Sequence, residues 1–189
     1  MCGALPARVV TADNRLMRYF LVFTLLSSLP ILNGCNPTLN WRDVRPDQTP
    51  LVALFPCKPD VGNRKVSLGA KDVKLTMLGC KADDATFTLA YADMTDTVNM
   101  GSVLVQWKEA TLGSMRAKSV SEVPFSIQGA SVMPESVQVE ARGTRQNGSP
   151  LGAQAVWFAR GSVVYQAVVY ADTLSPAVAE TYFAGLRLQ

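Results

Sequence analysis

Histidine is absent from the 189 residues of this chain. Its absence excludes Ser-His-Asp and Cys-His catalysis, and it excludes imidazole ligands to a metal. Charged side chains are scarce at 17%, against the roughly 25% that is usual in soluble domains. The apolar share of 48% is high enough to build a core, so the composition is not that of a disordered protein. The length suits one domain with an appendage better than two domains.

Recognisable catalytic and phosphate-binding motifs are also missing. The glycines between positions 143 and 161 are spaced as turn residues and form no phosphate loop. The adjacent Asp83 and Asp84 fit a solvated turn, in which neighbouring side chains point apart. Ser162 and Ser175 have no identifiable base. We therefore predict no catalytic residue, no cofactor and no metal site.

The longest apolar run extends from Tyr19 to Leu32. Its length matches the hydrophobic region of a secretory signal, about 7–15 residues, and falls short of the ~20 residues of a membrane-spanning helix. Pro30 and the early position of the run argue against a buried core helix. We predict a signal peptide over residues 1–34. Met17 is an alternative start, because it would begin a signal of ordinary, compact form.

The end of this run, Leu32-Asn33-Gly34-Cys35, resembles the bacterial lipobox. The resemblance implies that Cys35 becomes the first residue of the mature protein and carries a diacylglycerol on its sulfur. Two or more acyl chains give a stable membrane anchor. Ordinary signal cleavage, with Cys35 as a free or paired thiol, and an uncleaved anchor are the alternatives. The next residue, Asn36, resembles that of Gram-negative lipoproteins sorted to the outer membrane, where the body would face the periplasm.

Removal of residues 1–34 changes the charge balance of the chain. That segment contains three arginines and one aspartate, so the formal net charge falls from +3 to +1. So small an excess of cations leaves no cationic field that would argue for nucleic-acid binding. We therefore predict no nucleic-acid partner.

The four cysteines are Cys2, Cys35, Cys57 and Cys80. The first is lost with the signal peptide and the second takes the lipid, which leaves Cys57 and Cys80. An oxidising compartment favours a structural disulfide between them. Such a bond requires Cα atoms about 4.4–6.8 Å apart, and it would stabilise the fold by roughly 3 kcal/mol. Two free thiols and a redox-active pair are the alternatives, although the pair lacks the C-x-x-C spacing.

Residues 35–50 are polar and contain several prolines, and we interpret them as a lipidated N-terminus and tether with a short strand at 39–42. A folded domain follows over residues 51–189. Apolar runs and apolar alternation predict its strands. They are 51–55, 73–81, 86–91, 137–142, 153–159 and 163–170.

Two helices are predicted in this domain. The first spans residues 98–118, with Asp93 and Asp96 as capping groups before it. Its apolar stripe recurs every three or four residues, which indicates core packing rather than a cofactor site. The stripe consists of Met100, Leu104, Trp107, Thr111 and Met115. The second helix is capped by Ser175 and ended by Gly185.

A short tripeptide occurs twice in the domain. Tyr91-Ala92-Asp93 recurs as Tyr170-Ala171-Asp172, each time at the end of a strand and shortly before a helix. The repetition indicates either two related strand–strand–helix halves or chance. If the halves packed symmetrically, Asp93 and Asp172 would meet and could share a site.

Three segments resemble the PsbP-like family in its bacterial secreted form. Leu54 to Pro59 is similar to the Phe-Pro-Gly-Lys-Pro opening of that family, with Cys57 in place of the glycine. The resemblance continues in residues 86–93 and from residue 161 to the end of the chain. It implies the α+β class, an α/β sandwich in which helices flank a central antiparallel sheet over residues 51–189. Members of the family include accessory subunits and partner-binding modules, and they share no catalytic residues.

These observations favour a membrane-anchored lipoprotein of the bacterial cell envelope that acts as a non-catalytic binding or accessory module. Its expected partners are the membrane, through the lipid anchor, and another envelope protein. A binding module should expose an apolar groove or patch. The alternative is a secreted or periplasmic hydrolase-type enzyme, which should have a pocket with converging polar groups and perturbed acids.

The Cys35→Ser variant should move from the membrane fraction to the soluble fraction and should lose incorporation of labelled palmitate, because it lacks the sulfur that takes the lipid. Cell fractionation and metabolic labelling measure both effects. Cys2→Ser is the control and should behave as the unmodified chain. Unchanged membrane retention and labelling of Cys35→Ser would refute the lipobox assignment.

Overall fold

The computed structural model describes residues 39–69, 71–95 and 97–189. The signal peptide over residues 1–34, the alternative start at Met17 and the lipidation of Cys35 lie outside the described residues and stay predictions. Asp96 also lies outside them. In the part of the chain that is described, no helix has the length and hydropathy needed to cross a bilayer.

Ten strands and two short helices make up the regular structure of the described residues. They are β1 (Arg42–Val44), β2 (Leu51–Phe55), β3 (Asp60–Leu68), β4 (Lys71–Ala82), β5 (Ala85–Asp93), α1 (Met100–Ser114), β6 (Ser119–Pro124), β7 (Val137–Thr144), β8 (Pro150–Arg160), β9 (Val163–Ala171), α2 (Pro176–Ala184) and β10 (Arg187–Leu188). The large sheet has the order β3-β4-β5-β9-β8-β7-β6, and the small sheet has the order β1-β2-β10. All neighbouring strands are antiparallel.

The predicted fold class, an α+β sandwich with a sheet flanked by helices, is wrong. The protein is mostly β, and its described helices have only 15 and nine residues. The sequence pattern missed β3 and β6, the two edge strands of the large sheet. All residues of β6 and most residues of β3 are exposed, so neither strand has the apolar alternation of a half-buried strand. Both form because they extend the backbone hydrogen bonding of β4 and β7.

The central strands β5, β9 and β8 of the large sheet are buried on both faces. In β9, Val164 and Val168 belong to one core, whereas Tyr165 and Ala167 belong to the other, because successive side chains of a strand point to opposite faces. Helix α1 packs on the first core, and the small sheet and α2 pack on the second. The large sheet therefore lies between two cores with different covers.

Aromatic rings dominate the second core. Tyr182 of α2 lies edge-on against Phe55 and against Phe87, with ring centroids 5.4 Å apart in each pair. The hydroxyl of the buried Tyr182 donates a hydrogen bond to the carbonyl oxygen of Thr88 at 2.9 Å. Burial raises the pKa of Tyr182 well above its ordinary value. The Tyr182 hydroxyl is thus buried with its hydrogen-bond donor paired. An unpaired buried donor would cost roughly 1–3 kcal/mol of stability.

The predicted disulfide between Cys57 and Cys80 is confirmed. Their Cα atoms lie 6.1 Å apart, within the range that a disulfide requires. Cys57 follows β2 of the small sheet, and Cys80 lies on β4 of the large sheet. The bond therefore joins the two sheets covalently.

The helix ends agree with the sequence prediction in part. Helix α1 is shorter than predicted, and its N-cap residue Asn99 has a φ of 66° and makes no side-chain capping bond. Asp93 is not a helix cap, because its carboxylate accepts the backbone N–H of Thr95 at 2.8 Å and closes a local turn instead. Ser175 and Gly185 occupy the predicted N-cap and C-cap positions of α2, but the Ser175 side chain makes no capping hydrogen bond.

A close backbone contact fixes the end of α1 against β7. The backbone N–H of Thr144 donates to the carbonyl oxygen of Met115 at 2.8 Å, and that of Lys118 donates to Arg142 at the same distance. A Cβ on Gly143 would lie only 2.1 Å from the Met115 oxygen. Glycine is needed here because the two backbones approach so closely.

The Gly143→Ala variant should therefore lose about 2–3 kcal/mol of unfolding free energy, as forced overpacking typically costs. Urea denaturation measures the loss. Gly62→Ala on β3 is a matched strand control, since a Cβ there meets nothing within 4 Å. Equal unfolding midpoints for the two variants would contradict the contact.

Candidate functional site

A groove of about 300 Å³ lies between α1 and one side of the large sheet. We call it the helix–sheet groove. Strands β3, β4, β5 and β9 supply one wall, and α1 supplies the other. The α1 stripe predicted from the sequence explains this position, because Trp107 and its neighbours hold the helix on the sheet. Met100, Val103, Leu104 and Trp107 are its buried residues.

The lining of the helix–sheet groove is mainly apolar. Leu75, Met77 and Ala90 come from the sheet, and Trp107 and Ala110 come from the helix. Trp107 is only 8% exposed, whereas Ala110 is exposed.

A hydrogen-bonded pair adds polarity to this lining. The side-chain amide of Gln166 on β9 donates to the hydroxyl oxygen of Thr111 at 2.7 Å. The Thr111 hydroxyl in turn donates to the carbonyl oxygen of Trp107 at 2.9 Å. Gln166 is 8% exposed and is one of two buried polar residues among those described. Thr111 was the one polar member of the predicted stripe, and that irregularity is the sequence signal that could have located the pair.

Tyr170 borders the helix–sheet groove and also a polar groove beyond it. Its hydroxyl has no hydrogen-bond partner within the described ranges. Burial raises the pKa of Tyr170 above its ordinary value. The phenol is therefore neutral at physiological pH and can donate a hydrogen bond to a ligand.

Asp93 and Asp172 do not come together, so the shared site that a symmetric packing would create is absent. In the β5–β9 pair, Asp93 lies opposite Val163, while Asp172 follows Ala171 at the other end of the strand. Eight residues of strand separate these ends by about 26 Å. Asp172 instead pairs with Arg145 at 2.6 Å. No cluster of three or more metal-ligating side chains occurs among the described residues.

The candidate serines and the paired aspartates also lack a catalytic arrangement. The backbone N–H of Thr95 and the side chain of Ser162 hold the pKa of Asp93 below its usual value. A carboxylate with a lowered pKa is a weak base toward a serine. Asp83 and Asp84 form the predicted tight turn between β4 and β5, and both are exposed.

The raised pKa of Tyr170 predicts a pH dependence of stability. Its folded-state pKa lies above the unfolded value near 10. The tyrosine therefore favours the folded state fully below about pH 10, and this contribution is lost as the pH rises through the folded pKa.

Tyr170→Phe should keep the unfolding free energy at neutral pH and should lose less of it above about pH 10. Urea denaturation across that range measures both effects. Tyr182→Phe differs, because it also removes the buried hydrogen bond to Thr88 and should already be destabilised at neutral pH. An alkaline loss of stability identical in Tyr170→Phe and the unmodified protein would contradict the assignment.

Comparison with known proteins adds no assignment to this site. No protein-family model matches the chain, and no curated protein matches it either. The resemblance to the PsbP-like family stays a prediction, and the candidate site rests on its own residues.

Proposed function

We propose that this chain is a lipid-anchored protein of the bacterial cell envelope whose folded body binds a small apolar or amphipathic molecule in the helix–sheet groove. The observation that carries the proposal is the lining of that groove. It combines apolar walls with the neutral Gln166–Thr111 pair and the Tyr170 hydroxyl. Binding sites for small molecules typically have this mixture, and their volumes begin near 300 Å³.

The ionisable groups of the groove support binding rather than proton transfer. Arg64 and Tyr170 are the two ionisable side chains among its described lining residues. An arginine is always protonated in proteins, and the raised pKa of Tyr170 keeps its phenol neutral. Neither group can act as a general base near pH 7, where an effective base has a pKa close to the working pH.

The anchor is supported by the lipobox resemblance at Cys35 and by the disulfide of the body. Disulfides such as Cys57–Cys80 persist in oxidising compartments outside the cytoplasm. Export through a signal peptide and attachment at Cys35 would leave the body in such a compartment. A bacterial envelope lipoprotein satisfies both requirements.

The groove can be tested by filling it from the exposed side of α1. Ala110 lines the groove and is exposed, so Ala110→Phe should occupy ligand space without disturbing the core. We expect it to weaken binding of the apolar fluorescent probe N-phenyl-1-naphthylamine by roughly tenfold, the effect of losing about 1.4 kcal/mol of contact. Fluorescence titration of the purified protein gives the dissociation constant.

Gln106→Phe is the matched control, because it places the same ring at an exposed position of α1 that does not line the groove. It should bind the probe as the unmodified protein does. If Ala110→Phe and Gln106→Phe bind the probe with equal affinity, the binding proposal is wrong. Circular dichroism of both variants checks that the fold is retained.

A further inference from the structure

A second groove, of about 400 Å³, lies where the small sheet meets the outer strands of the large sheet. We call it the basic groove. Strand β1 and the loop after it form one wall, and β3, β4 and β5 form the base. It opens on the opposite face of β3 and β4 from the helix–sheet groove, because alternate residues of these strands line the two grooves.

Positive charge is concentrated in the basic groove. Its lining contains four basic side chains, Arg42, Arg45, Lys58 and Lys74, but only two carboxylates, Asp43 and Asp47. Residues 39–189 as a whole are nearly balanced, with 15 basic and 14 acidic side chains. The local excess is therefore a property of this groove and not of the protein as a whole.

None of these four cations forms an ion pair with an acidic side chain among the described residues. Lys58 and Lys74 form no ion pair within the described part of the chain. Arg42 donates to a backbone carbonyl oxygen, and Arg45 donates to a side-chain amide. Asp43 is engaged by an arginine outside the groove, at 2.7 Å.

The base of the groove is partly apolar, and its wall is fixed in place. Leu78 and Tyr91 are buried there, whereas Val61 is 65% exposed. The Tyr91 hydroxyl donates to the backbone carbonyl oxygen of Asp47 at 2.7 Å, which ties the loop to the sheet. Basic groups around an exposed apolar surface suit an amphiphile that has an anionic head.

The start of the described body is held firmly next to this groove. Trp41 packs edge-on against Phe87 with centroids 6.1 Å apart, and the backbone N–H of Asn40 donates to Pro56 at 2.8 Å. Only three residues lie between Cys35 and Leu39, so four residue-to-residue steps connect them. A fully extended chain of that length reaches about 14 Å at most.

We infer that the basic groove binds the phosphate groups of anionic phospholipids in the membrane that holds Cys35, and so orients the body on the bilayer. The inference rests on the proposed lipid anchor, because the short connection keeps β1 near the headgroups. Juxtamembrane lysines and arginines are attracted to anionic lipid surfaces, and the lining of the basic groove begins at Arg42, close in sequence to Leu39.

The test uses the lipidated protein, with its acyl chains verified by intact mass, in vesicles of phosphatidylcholine with or without phosphatidylglycerol. Lysine acetylation rates are read residue by residue. Lys58 and Lys74 should react roughly fivefold more slowly when phosphatidylglycerol is present, the factor expected for a basic group near an anionic surface. The exposed Lys118 on the far side of the large sheet is the internal control and should not change.

Two charge-reversal variants test whether the basic side chains of the groove bind the lipid together. Lys74→Glu should reduce the protection of Lys58, whereas Lys118→Glu should leave it intact. Equal rates in both kinds of vesicle would overturn the inference. Equal protection by inorganic phosphate in phosphatidylcholine vesicles would overturn it as well, because the site would then take a soluble anion. A protein without acyl chains would refute the anchor, and the inference that rests on it would fall too.

Discussion

The burial of the central strands on both faces is the constraint on which the rest of this structure depends. Each face of the large sheet must be covered, yet seven strands span roughly 30 Å and a helix with its side chains is about 10–12 Å across. Helix α1 and the small sheet with α2 each cover only part of the outer hairpin of β3 and β4, and most residues of β3 are exposed. Both grooves therefore form on this hairpin, one on each of its faces.

The disulfide and the small sheet make the basic groove a preformed feature. Cys57 precedes Lys58 in the wall of the groove, and Cys80 lies on β4, which contributes to its base. Strand β10 closes the small sheet on the other side of β2 from β1. The backbone of the wall is thus held by strand pairing and by a covalent bond.

The sequence predicted the buried strands of this protein better than the edge strands of its large sheet. The strands at 51–55, 86–91 and 163–170 were recognisable because their apolar side chains lie in the two cores. Strands β3 and β6 were not recognisable, since their polar side chains are exposed and pairing alone makes them strands. The grooves could not be predicted either, because they arise from the mismatch in width between the sheet and its covers. Only the polar Thr111 within an apolar stripe pointed toward one of them.

The exposed outer strands have a consequence for self-association. Each presents a row of unpaired backbone donors and acceptors, which can recruit a strand from another copy and start open-ended aggregation. Strand β3 carries Arg64 and Lys65 at its middle, and β6 carries Glu122 and ends at Pro124. Two β3 edges would bring like charges together, and proline cannot donate to a ladder. The molecule thereby discourages fibre growth at both borders without helices to shield them.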